Sequence, residues 1–201
     1  MLNIKDKFMD NKNKLKTPEI LKDAFWKLYS EKEISKIRIS EITNLAGYNR
    51  GVFYLYFKNI YEIFDVIEKE VMLEIKEMSQ LIQAFIIDET YNQEKLSVII
   101  DNYKKNEKYL RVLFTKNDNP RFMMRMKKML KDNLINEAKK ANCHKENIEY
   151  YIEYYVSGVV SLLIHWFIYG SKLSVDEFSK LVVEITGLES VKILKLIYGK
   201  D

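Results

Sequence analysis

The chain has 201 residues, with 33 basic and 29 acidic side chains and a formal net charge of +4. Six glycines and two prolines are too few turn residues for an all-β protein of this length, and long segments with apolar residues at helical spacing predict an all-α fold instead. The single cysteine excludes an intrachain disulfide framework and favours a reducing, cytoplasmic location.

Basic residues are concentrated at the N-terminal end of the chain. Residues 1–60 contain twelve lysines and arginines against seven acidic residues, whereas residues 61–201 are close to neutral. This asymmetry suggests a polyanionic partner, although lysines that only improve solubility would give the same balance. Residues 1–16 have no periodic apolar positions, so we predict a flexible basic arm there.

A first helix is predicted from Thr17 onwards. Threonine is a good N-cap, proline is favoured in the first turn, and Pro18 follows directly. One apolar stripe then runs along the helix. Its members are Ile20, Leu21, Ala24, Phe25, Leu28 and Tyr29.

Two short helices and a long one are predicted next. The second covers residues 40–46 and ends at Gly47, because glycine adopts the left-handed conformation found at many helix ends. Asn49 is the expected cap of the third helix, residues 50–57, and Asn59 that of the fourth, which reaches about residue 85. Further helices are expected near residues 94–115, 120–141, 146–170 and 174–187, followed by a short apolar tail, for about nine helices in all.

Residues 39–57 have the pattern of a helix-turn-helix motif, since two short helices meet at a tight glycine turn. Packed against the first helix, they would enclose a small core and leave the outer face of the third helix free to enter a major groove. The expected core residues are Ile42, Leu45, Ala46, Phe53 and Phe57. Residues 17–60 are therefore predicted to form a three-helix DNA-binding domain.

The outer face of the third helix carries groups that suit DNA. Arg50 can bond to O6 and N7 of guanine, Val52 can touch a thymine methyl, and Lys58 can pair with a phosphate. Tyr54 and Tyr56 carry hydroxyls for phosphates or base edges, although aromatic residues also serve as core. The predicted DNA-binding residues are Arg38, Ser40, Tyr48, Asn49, Arg50, Gly51, Val52, Tyr54, Leu55, Tyr56 and Lys58.

A longer set of residues extends this motif into a recognisable pattern. The set is Ile20-Leu21, Ala24, Leu28-Tyr29, Ile39, Glu41-Ile42, Ala46-Gly47, Arg50-Gly51, Phe53-Tyr54, Tyr56-Phe57 and Glu62-Ile63. In these residues the segment resembles the head of the tetracycline-repressor (TetR/AcrR) family of transcriptional regulators. The resemblance implies a homodimer that places each third helix in a major groove of a near-palindromic operator. It also implies that residues 61–201 dimerise and bind a small-molecule effector that releases the DNA; repression is the usual mode.

Four residues depart from the family pattern. Glu33 stands where glycine is frequent, and Thr43 replaces a usual alanine, which is expected to loosen the head slightly. Val52 replaces a common Thr or Ser, and Ile60 replaces a frequent lysine, so two phosphate contacts are lost. Lys58 or the N-terminal lysines are the expected compensation.

Residues 154–171 contain no charged residue and reach the lower length limit of a membrane span. His165, three serines and two glycines within them favour instead a helix buried between its own body and a second subunit. Together with the last helix it forms the expected dimer interface, as in the family. The predicted interface residues are Ser157, Gly158, Ser161, Leu162, Phe178, Leu181, Val182 and Ile185.

Aromatic and methionine side chains are frequent in the body and would suit an apolar or aromatic effector. The candidate pocket residues are Tyr103, Phe114, Tyr155 and Trp166, for which ordinary core packing is the alternative. His165 is a candidate polar group of the effector pocket, for which a hydrogen-bonded core histidine is the alternative.

Enzymatic and metal-binding functions are not expected from the residues available. Two histidines and one cysteine cannot form a zinc site without carboxylates, and no glycine-rich phosphate loop is present. We therefore predict a DNA-binding regulator without cofactor or metal. The alternative is a helical protein-interaction or membrane-associated module that retains the helix-turn-helix scaffold, which more exposed aliphatic residues on the third helix would favour.

Overall fold

The described part of the chain is helical throughout its regular structure. A computed structural model describes residues 4–87, 93–116, 120–169 and 172–198, and within these ranges no strand occurs. The helices are α1 (Ile4–Glu31), a 3-10 helix (Ile34–Lys36), α2 (Ile39–Ala46), α3 (Arg50–Tyr56), α4 (Ile60–Ile87), α5 (Gln93–Thr115), α6 (Pro120–Lys140), α7 (Ile148–Ile168) and α8 (Val175–Tyr198). The predicted all-α fold is confirmed.

The first helix begins at Ile4 and not at Thr17, so the arm predicted as flexible is helical from that residue on. Residues 1–3 of the arm lie outside the described residues. Pro18 lies inside α1, where its ring removes one backbone donor without ending the helix. The Thr17 hydroxyl lies 3.3 Å from that of Tyr48, so it links α1 to the turn after α2.

The last helix continues past the predicted end near residue 187. Val175–Tyr198 is one helix of 24 residues that includes the segment predicted as a separate apolar tail. Ile193 and Ile197 are spaced by one turn and are both buried, so packing of this C-terminal part keeps the helix continuous.

The chain divides into two compact units, residues 1–70 and 71–201, and the boundary lies inside α4. The compact N-terminal unit thus ends ten residues after the predicted domain boundary between residues 60 and 61. Aromatic packing explains the difference, because the ring of Phe64 lies 6.4 Å from Phe25 and 5.1 Å from Tyr29 of α1. The first turns of α4 thus belong to the N-terminal unit, which we call the head; residues 71–201 are the body.

The core of the head differs from the predicted core at two positions, one isoleucine and one leucine. Ile20 and Leu45, both expected inside, are 40% and 46% exposed. Thr43 is buried next to Ile42, so these two residues, rather than Leu45, form the inner face of the short helix α2. Fully or almost fully buried side chains of the head are Leu21, Phe25, Tyr29, Ile42, Phe53, Ile63 and Ile67.

A buried lysine joins α1 to α4 within the head. The Lys22 ammonium lies 2.8 Å from a Glu19 oxygen and 2.6 Å from a Glu70 oxygen. Burial lowers the pKa of Lys22, but hydrogen bonds to Glu19 and Glu70 outweigh it, so that the pKa is raised. Lys22 is therefore a positive charge that holds the head together and is not available to DNA.

Candidate nucleic-acid interface and helical body

The turn between α2 and α3 has the backbone that a helix-turn-helix requires. Gly47 adopts the left-handed conformation, with φ 74° and ψ 25°, and its N–H donates to the carbonyl of Asn44. The N–H of Tyr48 donates to the carbonyl of Thr43 at 2.8 Å. A Cβ atom at position 47 would meet nothing within 4 Å, so the conformation rather than space requires glycine.

Side-chain bonds hold the start of α2. The Glu41 carboxylate accepts from the backbone N–H of Arg38 at 2.9 Å and from the Lys32 ammonium at 2.6 Å. These two hydrogen bonds, from Lys32 first and then Arg38, lower the pKa of Glu41. The buried Thr43 hydroxyl donates to the carbonyl of Ile39 at 3.0 Å, which satisfies the polar group that replaces the usual alanine.

The start of α3 and the segment that follows it are fixed by two asparagine caps, as predicted. The side-chain oxygen of Asn49 accepts from the N–H of Val52 at 3.1 Å. The corresponding oxygen of Asn59 accepts from the N–H of Glu62 at 2.9 Å, and the Glu62 carboxylate accepts from the N–H of Lys58. The seven-residue helix is therefore constrained at both ends.

One side of α3 is buried and the other is exposed. Phe53 is fully buried and Phe57 is 5% exposed, which confirms their predicted core role. Val52 and Tyr56 are half-buried. On the helix, the exposed residues follow the spacing i, i+1, i+4 and i+5, which is one helix face. They are Arg50, Gly51, Tyr54 and Leu55, and together with the exposed Lys58, which follows the helix, we call them the α3 face.

The remaining predicted DNA-binding residues lie around α2 and the turn. Arg38 and Asn49 are exposed at the N-terminal ends of α2 and α3, respectively. Ser40 and Tyr48 are half-buried, and the Tyr48 hydroxyl lies against Thr17. The structure thus brings the predicted residues together in the head, with one part of the set serving as caps and packing.

In the body, one face of α7 is exposed over the whole length of the helix. Tyr150 and Tyr154 are 76% and 72% exposed, and Tyr169, just after the helix, is 73% exposed. Smaller exposed residues lie between these tyrosines at helical spacing. The set is Tyr150, Tyr151, Tyr154, Gly158, Ser161, His165, Ile168 and Tyr169, and we call it the α7 stripe.

The predicted dimer residues differ in their exposure. Gly158, Ser161 and Ile185 are exposed, whereas Phe178 is buried and stacks on Trp166 with ring centroids 4.6 Å apart. Phe178 therefore packs within its own chain. The half-buried members are Ser157, Leu162, Leu181 and Val182. Sequence reasoning missed the tyrosines of the α7 stripe, although their four-residue spacing with Gly158 was visible in the sequence.

Length and hydropathy single out the same helix. Within the described ranges, Ile148–Ile168 is the one helix that is long and apolar enough to cross a membrane. Only 22% of its most apolar stretch is buried inside the chain. Burial inside this chain alone is therefore low, and the predicted burial between the body and a second subunit stays a prediction.

Three of the four candidate effector residues come together in an aromatic cluster. The Tyr103 ring lies 5.3 Å from that of Trp166, and Phe114 stacks on Phe167 at 4.4 Å. Tyr155 is half-buried. Because the rings contact one another directly, these residues pack as core. Tyr103 is nevertheless polar at its hydroxyl, and burial, followed by the nearby charge of Glu107, raises the pKa of Tyr103 to about 12.

The charged residues of α7 lie beside α6. The Glu153 carboxylate is 2.6 Å from the Lys127 ammonium and 2.9 Å from that of Lys131. Hydrogen bonds from Lys127 and Lys131 lower the pKa of Glu153 to about 2. No group of three or more His, Cys, Asp or Glu suitable for a metal ion occurs in the described part of the chain.

Comparisons with known proteins agree with this architecture. Residues 92–187 match a TetR C-terminal family model whose description is "Transcriptional regulator C-terminal region". A solved structure named "Dihydroxyacetone kinase operon activator DhaS" is similar in fold, with a TM-score of 0.55 and 20% sequence identity over 88% of this chain and 96% of that chain. No curated protein matches the sequence. The match over residues 92–187 and the likeness in fold both agree with the resemblance of the head to the TetR family of transcriptional regulators.

Proposed function

We propose that this chain binds double-stranded operator DNA through the α3 face. The observation that carries the proposal is the division of α3, on which Arg50 and Tyr54 are exposed while Phe53 and Phe57 hold the helix from the other side. A helix anchored in this way presents its donors without a change of its backbone. Arg50 lies in the first turn, where recognition helices contact base edges, and suits O6 and N7 of guanine.

The phosphate contacts come from the surrounding residues. Arg38 and Ser40 lie at the start of α2, whose N-terminal N–H groups favour a phosphate. Lys58 follows α3 and is exposed. Lys58 compensates for the hydroxyl and lysine that are missing at Val52 and Ile60. The excess of basic residues in the N-terminal 60 residues supports this polyanionic partner.

The regulator acts as a homodimer on a near-palindromic site. The α7 stripe supports this proposal, because an uncharged face with exposed tyrosines and two small residues at its centre suits close contact with a second helix. Gly158 and Ser161 allow the approach, and Ile185 of α8 adds an exposed aliphatic residue to the interface.

The body senses a small apolar or aromatic molecule, and its binding releases the DNA, so that the regulator is a cytoplasmic repressor. The aromatic cluster of the body, with the buried polar residue Tyr103 in it, supports an effector that has a polar group as well as apolar surface. Activation is the second candidate mode, since the solved structure similar in fold is named as an operon activator.

The α7 helix also favours one alternative function. Its length, its hydropathy and its exposed aromatic residues suit a protein-interaction or membrane-associated module. On α3, however, the exposed set contains one aliphatic residue, Leu55, among basic, aromatic and glycine residues. An interaction surface would need more aliphatic area there, so DNA binding is the better interpretation.

A salt titration of DNA binding tests the proposal. Wild type and Arg50→Ala are compared on the DNA that flanks the protein's own gene and on an unrelated duplex. Arg121→Ala is the matched control, because it removes the same charge from an exposed position of α6 in the body.

We expect the wild type to prefer the flanking DNA and its affinity to fall steeply with salt. Arg50→Ala should lose discrimination worth about 1–3 kcal/mol for each guanine contact, whereas Arg121→Ala should bind like the wild type. Equal and weak binding of all three proteins to both duplexes would refute DNA recognition by α3 and favour the interaction module.

A further inference from the structure

Leu55 has the highest exposed fraction among the large apolar residues that the structure describes. It is 77% exposed, at the fourth helical position after Gly51 on the α3 face. Exposure of an aliphatic side chain to water is unfavourable, and Leu55 offers no hydrogen bond to its neighbours Arg50 and Tyr54. The residue therefore needs an explanation that differs from that of the polar groups around it.

The glycine one turn before Leu55 explains why the leucine is uncovered. Side chains on a helix lean towards its N-terminus, so residue i+4 lies over residue i. Gly51 has no side chain to meet Leu55, and it is itself exposed. A Cβ atom at Gly51 would meet only the Asn49 side-chain oxygen, at 3.1 Å. Leu55 and Gly51 together thus form a low, open, apolar patch beside Arg50.

We infer that Leu55 is a specificity residue that recognises thymine through its 5-methyl group. The inference rests on the proposed DNA binding by α3. In the major groove the thymine methyl is the one apolar group that base pairs present, and a leucine cannot read the donors and acceptors that distinguish the other bases. Val52, expected from the sequence to touch a methyl, is half-buried, whereas Leu55 is exposed.

The test removes single methyl groups from the DNA. Wild-type protein first selects its preferred duplexes from a pool with random central sequence. Each thymine of a selected duplex is then replaced in turn by deoxyuridine, which pairs identically but lacks the methyl group. We expect about fourfold weaker binding at the thymine that Leu55 contacts, which is the effect of exposing roughly one methyl group.

The variant Leu55→Ala should bind the thymine and deoxyuridine duplexes with equal affinity. Because Leu55 is exposed, its truncation leaves the core of the head unchanged, which a thermal melt verifies. Leu45→Ala is the matched control, since it truncates a half-exposed leucine on α2 of the same head and should keep the wild-type preference for the methyl group.

Three results would overturn the inference. If the wild type selects a duplex and no deoxyuridine replacement weakens binding, Leu55 does not read thymine, although DNA recognition by α3 stands. If Leu55→Ala keeps the full sensitivity to the methyl group, another residue reads it. If the wild type selects no duplex at all, the proposed function fails, and Leu55 belongs instead to a contact with protein.

Discussion

The α3 face and the α7 stripe are both exposed, and both contain tyrosines, yet they differ in size and charge. The α3 face consists of one side of a seven-residue helix and the lysine that follows it, so it carries two cations, Arg50 and Lys58. The α7 stripe follows a helix of 21 residues and contains no Lys, Arg, Asp or Glu. Exposed aromatic residues alone thus do not define the partner.

Charge and small residues separate the two surfaces. On DNA, tyrosine hydroxyls and cationic side chains can donate hydrogen bonds to phosphate oxygens and base edges, and a short helix fits the width of the major groove. Against another helix, uncharged tyrosines on both sides of Gly158 and Ser161 bury apolar area and leave a low centre for close approach. The difference in charge therefore favours a protein partner for the α7 stripe and a polyanionic partner for the α3 face, as proposed above.

A charge placed in the middle of the α7 stripe should have the largest effect. For Gly158→Arg we expect at least a hundredfold weaker self-association by analytical ultracentrifugation, or roughly 3 kcal/mol, since two-fold symmetry would bring two cations into an uncharged interface. The fold should survive, because a Cβ atom at Gly158 would meet nothing within 4 Å.

Met124→Arg is the control for this experiment. Met124 is 69% exposed on α6, outside the α7 stripe, and the same charge there should leave association unchanged. If Gly158→Arg associates as strongly as the wild type, the dimer interface lies elsewhere and the α7 stripe is not the surface that binds a second copy.

The cap of α3 should give an effect of intermediate size. Asn49→Ala removes the acceptor of the Val52 N–H and should destabilise the first turn of α3 by about 1 kcal/mol. Hydrogen exchange of the Val52 amide in the full chain measures this local opening. Because Arg50 lies in the same turn, discrimination between DNA sequences should decrease in parallel.

Asn49→Ser separates the cap from a direct contact with DNA, because serine can accept the same hydrogen bond. Restored protection of the amide together with restored DNA discrimination would assign Asn49 to the cap. Protection restored without discrimination would show instead that the Asn49 amide itself contacts DNA.

Local signals in the sequence predicted the elements of the head well. Gly47 and Asn49 act on their own neighbours, so the turn and the cap follow from residue type, and helical periodicity predicted the buried Phe53 and Phe57. The exposed side of α3 followed from the same periodicity. Such features depend on a few adjacent residues and need no knowledge of the remaining fold.

Tertiary packing decided what the sequence did not predict. Pro18 is a good first-turn residue and yet lies inside α1, and the apolar residue Leu45 is left exposed because Thr43 takes the inner position. Tyr150 precedes the charge-free run and was missed, since the exposure of one face of α7 depends on which faces α5, α6 and α8 cover.

The smallest expected effect concerns the charged flank that keeps the α7 stripe uncharged. Lys127 and Lys131 hold Glu153 on the α6 side of α7, and their hydrogen bonds lower its pKa from the ordinary 4.5 to about 2. A carboxylate with a lowered pKa in the folded state contributes stability that is present above pH 4.5 and is lost as the pH falls towards 2. The contribution is small because the ion pairs are solvent-exposed.

Thermal melting of wild type and Glu153→Gln between pH 7 and pH 2 measures this contribution. The wild type should melt at the higher temperature near neutral pH, and its advantage should disappear between pH 4.5 and pH 2. Glu184→Gln, at an exposed position of α8, should follow the wild type throughout. A constant difference between wild type and Glu153→Gln over the whole range would mean that packing, not the pairing with α6, holds Glu153 away from the α7 stripe.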